Sequence, residues 1–168
     1  MPATSRSGGR ARSTSVRPPP FQVLLDEHRD EVYRFLSGIV EPHDLDDCFQ
    51  ETFLSALRAY PKLRDGSNPR SWIMTIAYRK AMDSHRGRAR SPVTVEQVPE
   101  RPARGSFSED HALWELVQGL PPKQRAAVVS RYAHAMPYRE IAGVIGITEE
   151  AARQNVREGL KSLRERIT

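Results

Sequence analysis

The run from Tyr138 to Thr148, YREIAGVIGIT, leaves the chain little choice of local fold. Ile141, Ala142 and Ile145 recur at the three- and four-residue steps of one helix face. Gly146 can take the left-handed backbone that ends a helix, and Thr148 is a good N-cap for a second one. Glu149 and Glu150 suit its first turn, where the helix dipole favours negative charge. Ala152, Val156, Leu160 and Leu163 carry the apolar face to about Arg166. A short helix, a glycine turn and a helix sharing the same inner face make a helix-turn-helix. The outer face presents Arg153, Gln154, Asn155 and Arg157. Arg, Gln and Asn make paired hydrogen bonds to base edges in a major groove, and Lys161 or Arg164 can reach phosphates. A helical hairpin with a merely solvated face is the bland alternative.

The helical period holds along most of the chain. Phe21 to Val40 predicts a helix with Leu24, Leu25, His28, Val32, Phe35, Leu36 and Ile39 on one stripe. His28 is expected there as a satisfied boundary histidine. Glu41-Pro42-His43 breaks that helix. Asp44 to Tyr60 (DLDDCFQETFLSALRAY) has no Gly or Pro, so it predicts a second helix, closed by Pro61. Leu45, Phe49, Thr52, Phe53, Ala56 and Tyr60 share its inner side, and Asp47 and Glu51 the outer, with Gln50 at the flank. Lys62 to Asn68 reads as a polar loop, and Pro69 sits well in the first turn of a third helix running to about Arg86. From about Glu109 the pattern resumes: a helix ending at Pro121-Pro122, one from Lys123 to Tyr132 with Ala126, Val129 and Tyr132 or Ala133 turned inward, then the helix-turn-helix. The expectation is an all-α chain of two small helical domains, 21–90 and 109–168. A basic, disordered tail (1–20) precedes them, and a flexible linker (91–108) rich in Pro, Gly and Ser joins them.

Charge is distributed unevenly. Residues 21–60 carry net −6 and residues 61–90 net +6, within a whole chain of +5. Adjacent blocks of opposite sign suggest two different partners; mutual neutralisation within one bundle is the alternative. No apolar run approaches the roughly 18 residues of a membrane span, and Arg6, Arg10, Arg12 and Arg17 have no apolar core behind them, so neither membrane insertion nor a secretory signal is expected. One cysteine, Cys48, excludes an internal disulfide and fits a reducing, cytoplasmic setting. Catalysis lacks parts: there is no phosphate-binding G-x-x-x-x-G-K, no H-E-x-x-H and no G-x-S-x-G. The histidines at 28, 43, 85, 111 and 134 show no ligand spacing, so no metal or cofactor is expected. Cys48 sits beside acids that raise a thiol pKa, the wrong direction for a nucleophile.

Two stretches carry a family resemblance. Asp47-Cys48-Phe49-Gln50-Glu51-Thr52-Phe53 resembles the D-L-V-Q-E-T-F run of bacterial sigma factors, and Leu120-Pro121-Pro122-Lys123-Gln124-Arg125 through Arg164 resembles their region four. With only a linker between regions two and four, the chain is similar to the extracytoplasmic-function (ECF) class. The resemblance implies a non-enzymatic initiation subunit that binds core RNA polymerase and directs promoter recognition and opening. It implies that Asp47, Gln50 and Glu51 dock on the polymerase clamp. Arg64, Asp65, Ser67 and Asn68 would then read an extruded minus-ten base, Trp72 offer a stacking surface, and Arg79, Lys80 and Arg86 hold the melted strand. A buried core role is the stronger expectation for Trp72. Arg153, Gln154, Asn155, Arg157 and Lys161 would face the minus-thirty-five duplex. The resemblance also leaves room for an anti-sigma factor, which no residue by itself demonstrates. Where the family's recognition helix usually reads G-T-V-K-S-R, this chain has Glu150-Ala151-Ala152-Arg153-Gln154-Asn155, so base preference does not transfer. Rival readings are a helix-turn-helix regulator that ignores polymerase and an interaction module that never opens DNA.

Overall fold

Helix α1 spans Phe21–Ile39 and buries Leu24, His28, Val32, Phe35, Leu36 and Ile39 along one stripe. Phe35, Leu36 and Ile39 are wholly removed from solvent, each contributing about 1.5–3 kcal/mol of apolar burial. Glu41 is extended, as a residue before proline must be, and Pro42–Asp44 forms a 3-10 turn. Asp44 thus precedes α2, Leu45–Ala59, instead of opening it. Its carboxylate is drawn to the third helix, accepting from Ser84 at 2.7 Å and pairing with Arg88 at 2.6 Å. Helix α2 buries Cys48, Thr52, Phe53 and Ala56. After a 3-10 turn at Tyr60–Lys62, the chain loops to α3, Pro69–Arg90. Pro69 opens α3 at no cost because a first-turn N–H has no partner inside the helix. The Asn68 side chain accepts the amide of Ser71 at 3.2 Å and acts as the N-cap. The tie from Asp44 to Ser84 and Arg88 carries α3 past Gly87, four residues beyond the expected end.

The computed structural model describes residues 19–90 and 110–168, with side chains from 112 onward in the second segment. The expected tail, apart from Pro19 and Pro20, and the whole expected linker lie outside the described residues. The second group comprises α4 (Asp110–Gln118), α5 (Pro122–Tyr132), α6 (Tyr138–Ile145) and α7 (Glu149–Ile167). Gly146 has φ +75° and ends α6; the amides of Gly146 and Ile147 both donate to the Ala142 carbonyl. Thr148 caps α7 through its hydroxyl, which accepts from Ala151 at 3.1 Å. Gly159 lets α7 approach α5, since a Cβ there would stand 2.7 Å from Val128 Cγ2. Ala126 and Val129 point inward as expected, but Tyr132 is 63% exposed and Ala133 is also exposed. The last turn of α5 overhangs the core, and Met136, in the following turn, fills the place instead.

One apolar core runs through both groups. A Cβ at Gly38 would stand 2.9 Å from Val129 Cγ1 and 3.2 Å from Trp114. The ring of Phe35 meets His134 edge-on at 5.7 Å. Among the described residues all regular structure is helical.

Candidate nucleic-acid and protein interfaces

Helix α2 is fixed by its inner side and open on its outer one. Asp47, Gln50 and Glu51 are exposed. Beside them lies an apolar groove of about 600 Å³ between α1 and α2, lined by Phe21, Leu25, Tyr33, Phe49, Leu54 and Leu57 among others. Leu54 and Leu57 are 44% and 49% exposed, a cost α2 accepts although it could have carried polar residues there. Cys48 lies under this edge. Burial pushes its thiol up, and Asp44 and Asp47 push it further, which makes it a structural thiol.

The opposite-sign blocks are only partly self-neutralising. Glu51 pairs with Lys80 at 3.8 Å, Asp44 with Arg88 and Glu31 with Arg70. Arg64, Asp65, Ser67 and Asn68 are exposed on the loop before α3, and Arg79 and Arg86 on α3 itself. Lys80 is half-buried beside Glu51, and Arg86 pairs with Asp83. Trp72 is half-buried against the core, its ring 6.3 Å from Tyr60; packing holds it, with part of the residue left exposed. Asn68 is engaged as the α3 cap through its oxygen.

On α7, Arg153, Gln154, Arg157 and Lys161 are exposed. Arg153 pairs with Glu149 and lies over the Tyr138 ring at 5.2 Å, while Arg131 lies on the same ring at 4.8 Å. Of the two acids at the start of α7, Glu149 is therefore engaged in orienting Arg153, while Glu150 is exposed. Arg157 donates to Gln154 at 3.0 Å. Asn155 turns back and donates to the Ala151 carbonyl at 2.8 Å, so its amide is occupied within its own helix.

A polar cluster that periodicity did not reveal joins the two groups. Arg70 donates to Glu31 at 2.6 and 2.8 Å, to Glu140 at 3.0 Å and to the His134 carbonyl at 2.9 Å. Ser71 also donates to Glu140, at 2.9 Å. Burial pulls the Glu31 carboxyl up, but the hydrogen bond and charge of Arg70 outweigh it and leave it below the usual carboxylate range. Burial drives the His134 imidazole down, against the pull of Glu31. Farther along, Arg125 is buried and donates to the carbonyls of Ile39 at 3.2 Å and Leu120 at 3.1 Å. It also donates to the Gln118 side chain at 2.8 Å.

Residues 24–91 match the family model Sigma-70 region 2, and residues 110–163 match Sigma-70, region 4. The ECF RNA polymerase sigma factor SigE of Mycolicibacterium smegmatis is 31% identical over 160 residues, which cover 88% of this chain and 61% of that protein. The RNA polymerase sigma factor CarQ of Myxococcus xanthus is 31% identical over 152 residues, covering 86% of this chain and 87% of CarQ. The ECF sigma factor SigD of Mycobacterium tuberculosis is 31% identical, with 86% and 75% covered. In fold, the chain is similar to the sigma factor RpoE from Bartonella quintana, solved with the anti-sigma factor NepR. The TM-score there is 0.68 at 22% identity, over 86% of this chain and 92% of that one. A helical region-two module packed on a helix-turn-helix region-four module defines a two-region sigma factor. The chain belongs to the ECF RNA polymerase sigma factors.

Proposed function

We propose that this chain is a non-catalytic initiation subunit that binds core RNA polymerase through α2 and promoter DNA through α3 and α7. The observation that carries the reading is the outer edge of α2: Asp47, Gln50 and Glu51 stand exposed on a helix whose other side is fixed in the core. The neighbouring apolar groove adds area that a polymerase helix can bury. Arg64, Asp65, Ser67 and Asn68 read an extruded minus-ten base, with the open part of Trp72 as a stacking surface. Arg79, Lys80 and Arg86 hold the melted strand. Arg153, Gln154 and Arg157 face the minus-thirty-five duplex, with Lys161 on phosphate and Asn155 contributing only if it leaves Ala151.

Each DNA contact is weak alone and gains affinity through effective concentration once polymerase fixes their separation. The free chain is then a poor promoter binder. In this reading the two modules span 21–90 and 109–168 and work in the cytoplasm with polymerase, and an anti-sigma factor such as the one bound to RpoE is a natural antagonist. Run-off transcription with core polymerase on a genomic promoter library tests the proposal: selective transcripts that need this chain support it, and tight, specific promoter binding by the isolated chain counts against it.

A further inference from the structure

The chain enters α1 at a fixed point. Pro20 has φ −52° and ψ 143°, close to polyproline geometry, and it disfavours helix at Pro19 before it. The Tyr60 hydroxyl donates to the Pro19 carbonyl, and the Phe21 ring meets Tyr60 edge-on at 5.4 Å. Tyr60 lies in turn 6.3 Å from Trp72 and opens the 3-10 turn that leads into the loop before α3. Residues 1–18 therefore join the folded chain beside the loop and ring proposed to handle the extruded base. They carry Arg6, Arg10, Arg12 and Arg17 and no acid. The place where they join is cationic as well. Lys62 and Arg64 are exposed there against one acid, Asp65, and the first turn of α1 has none.

We propose that residues 1–18 are a DNA-binding arm, delivered by the Pro19–Tyr60 contact to promoter DNA flanking the minus-ten element. The proposal rests on the promoter-reading function above and adds a site which that function does not use. Two cationic segments meeting at one point repel each other, and a polyanion neutralises both. All four charges are arginine, whose planar fork pairs with phosphate oxygens two at a time. The apolar side chains Met1, Ala3, Ala11 and Val16 are too small and scattered to make a lipid-facing stripe. Covalent reach takes Arg17 no farther than about 8 Å from Pro19 and Arg6 no farther than about 50 Å. Duplex DNA carries a charge about every 1.7 Å along its axis, so every arginine has phosphates in range once the extruded base is held. Such contacts position without reading sequence. The arm adds affinity and leaves promoter choice to the loop and α7. Its competing home is the chain's own exposed acids on α1, Asp26, Glu27 and Asp30.

The test compares the natural chain with one carrying Arg6→Ser, Arg10→Ser, Arg12→Ser and Arg17→Ser, each bound to core polymerase, on forked DNA holding a minus-ten element. Each phosphate contact contributes about 0.7–0.9 to the slope of log affinity against log salt. The fourfold serine variant is expected to lose about 3 from that slope and to bind at least tenfold more weakly at low salt, while a fourfold lysine variant keeps the slope. A second measurement maps the arm with an iron chelate on Ser13→Cys. Buried Cys48, its thiol pushed up, does not compete for the label. Cuts are expected within about ten base pairs of the minus-ten element, the span that six residues of chain and the chelate can reach. Tyr60→Phe, which keeps the ring and frees the Pro19 carbonyl, is expected to scatter them. Equal salt slopes, cuts away from minus ten, or an unchanged pattern in Tyr60→Phe each overturn the proposal. So does a serine variant whose whole deficit appears as weaker capture of polymerase without DNA, since the arm then docks on protein. If the natural chain supports no transcription with core polymerase, the initiation reading fails instead, and the salt slopes of the free chains on the same fork still decide the arm.

Discussion

The guanidinium of Arg125 donates to the carbonyl oxygen of Ile39 across 86 residues of chain, at 3.2 Å. The two modules of this sigma factor therefore share a helix end as well as a core. Replacing Arg125 with alanine strips donors from the carbonyls of Ile39 and Leu120. A buried, charge-assisted set of this kind is worth about 2–4 kcal/mol. Urea denaturation is expected to show that loss, with Arg125→Lys recovering part of it because one ammonium cannot fill both positions of the fork.

Acid should loosen the same interface. His134 and Glu31 both have folded-state pKa values below their ordinary ones. A depressed pKa contributes stability that is present above the unfolded value and lost as pH falls through the folded one. His134 begins to lose its contribution below about pH 6.5 and Glu31 below about pH 4.5. The charged neighbours are Arg34 on α1, Arg70 on α3 and Glu140 on α6. The melting temperature should fall from pH 7 to pH 5, and His134→Gln should flatten that first decline. A chain whose melting temperature holds steady across this range would contradict the assignment.

Charge reversal at the α2 edge separates docking from stability. Asp47→Lys with Glu51→Lys is expected to weaken capture of core polymerase at least tenfold. Both residues are exposed, and the Glu51–Lys80 pair is of the kind worth no more than about 1 kcal/mol. Melting should therefore move by only a few degrees. Undiminished capture would remove the main support for the docking face.

Arg153 offers a test of base reading. Arg153→Ala should cost the polymerase complex about 1–3 kcal/mol of discrimination among minus-thirty-five sequences. Tyr138→Phe keeps the ring on which Arg153 rests and should behave as the natural chain, whereas Tyr138→Ala frees the guanidinium and should fall between them. Competition binding by the polymerase complex on promoter variants gives the order directly.

Asn68 caps α3 and is proposed to read a base as well, and substitution can divide the two. Serine can still accept the Ser71 amide as an N-cap but lacks the amide edge that reads a base. Asn68→Ser should leave melting nearly unchanged while slowing promoter opening. Asn68→Ala should do both, losing about 1 kcal/mol of stability. If Asn68→Ser opens promoters at the natural rate, Asn68 is a cap alone.

The individual helices were legible because each carries its own period and punctuation. Pro69 and Thr148 mark starts, Gly146 marks an end, and the stripe from Leu24 to Ile39 turns up buried except for half-buried Leu25. What joins the modules left no such mark. Gln118 and Arg125 stand among ordinary polar residues at a helix junction, and their partners are backbone carbonyls, which have no letter in a sequence. Arg70 reads as one more cation in a basic block, yet its acids come from helices 39 and 70 residues away. Asn155 reads as a base contact by type, but its side-chain amide donates to the Ala151 carbonyl one turn back. Residue type states what a side chain can do; which acceptor is nearest depends on packing.

The entry to α7 is fixed by Gly146 through its backbone, by Thr148 through its cap, and by Ala152 and Val156 through their burial. Its aim is thus set without help from Arg153, Gln154 or Arg157. Those outward positions can be rewritten without redirecting the helix, so closely related chains could address quite different promoters while sharing one mount.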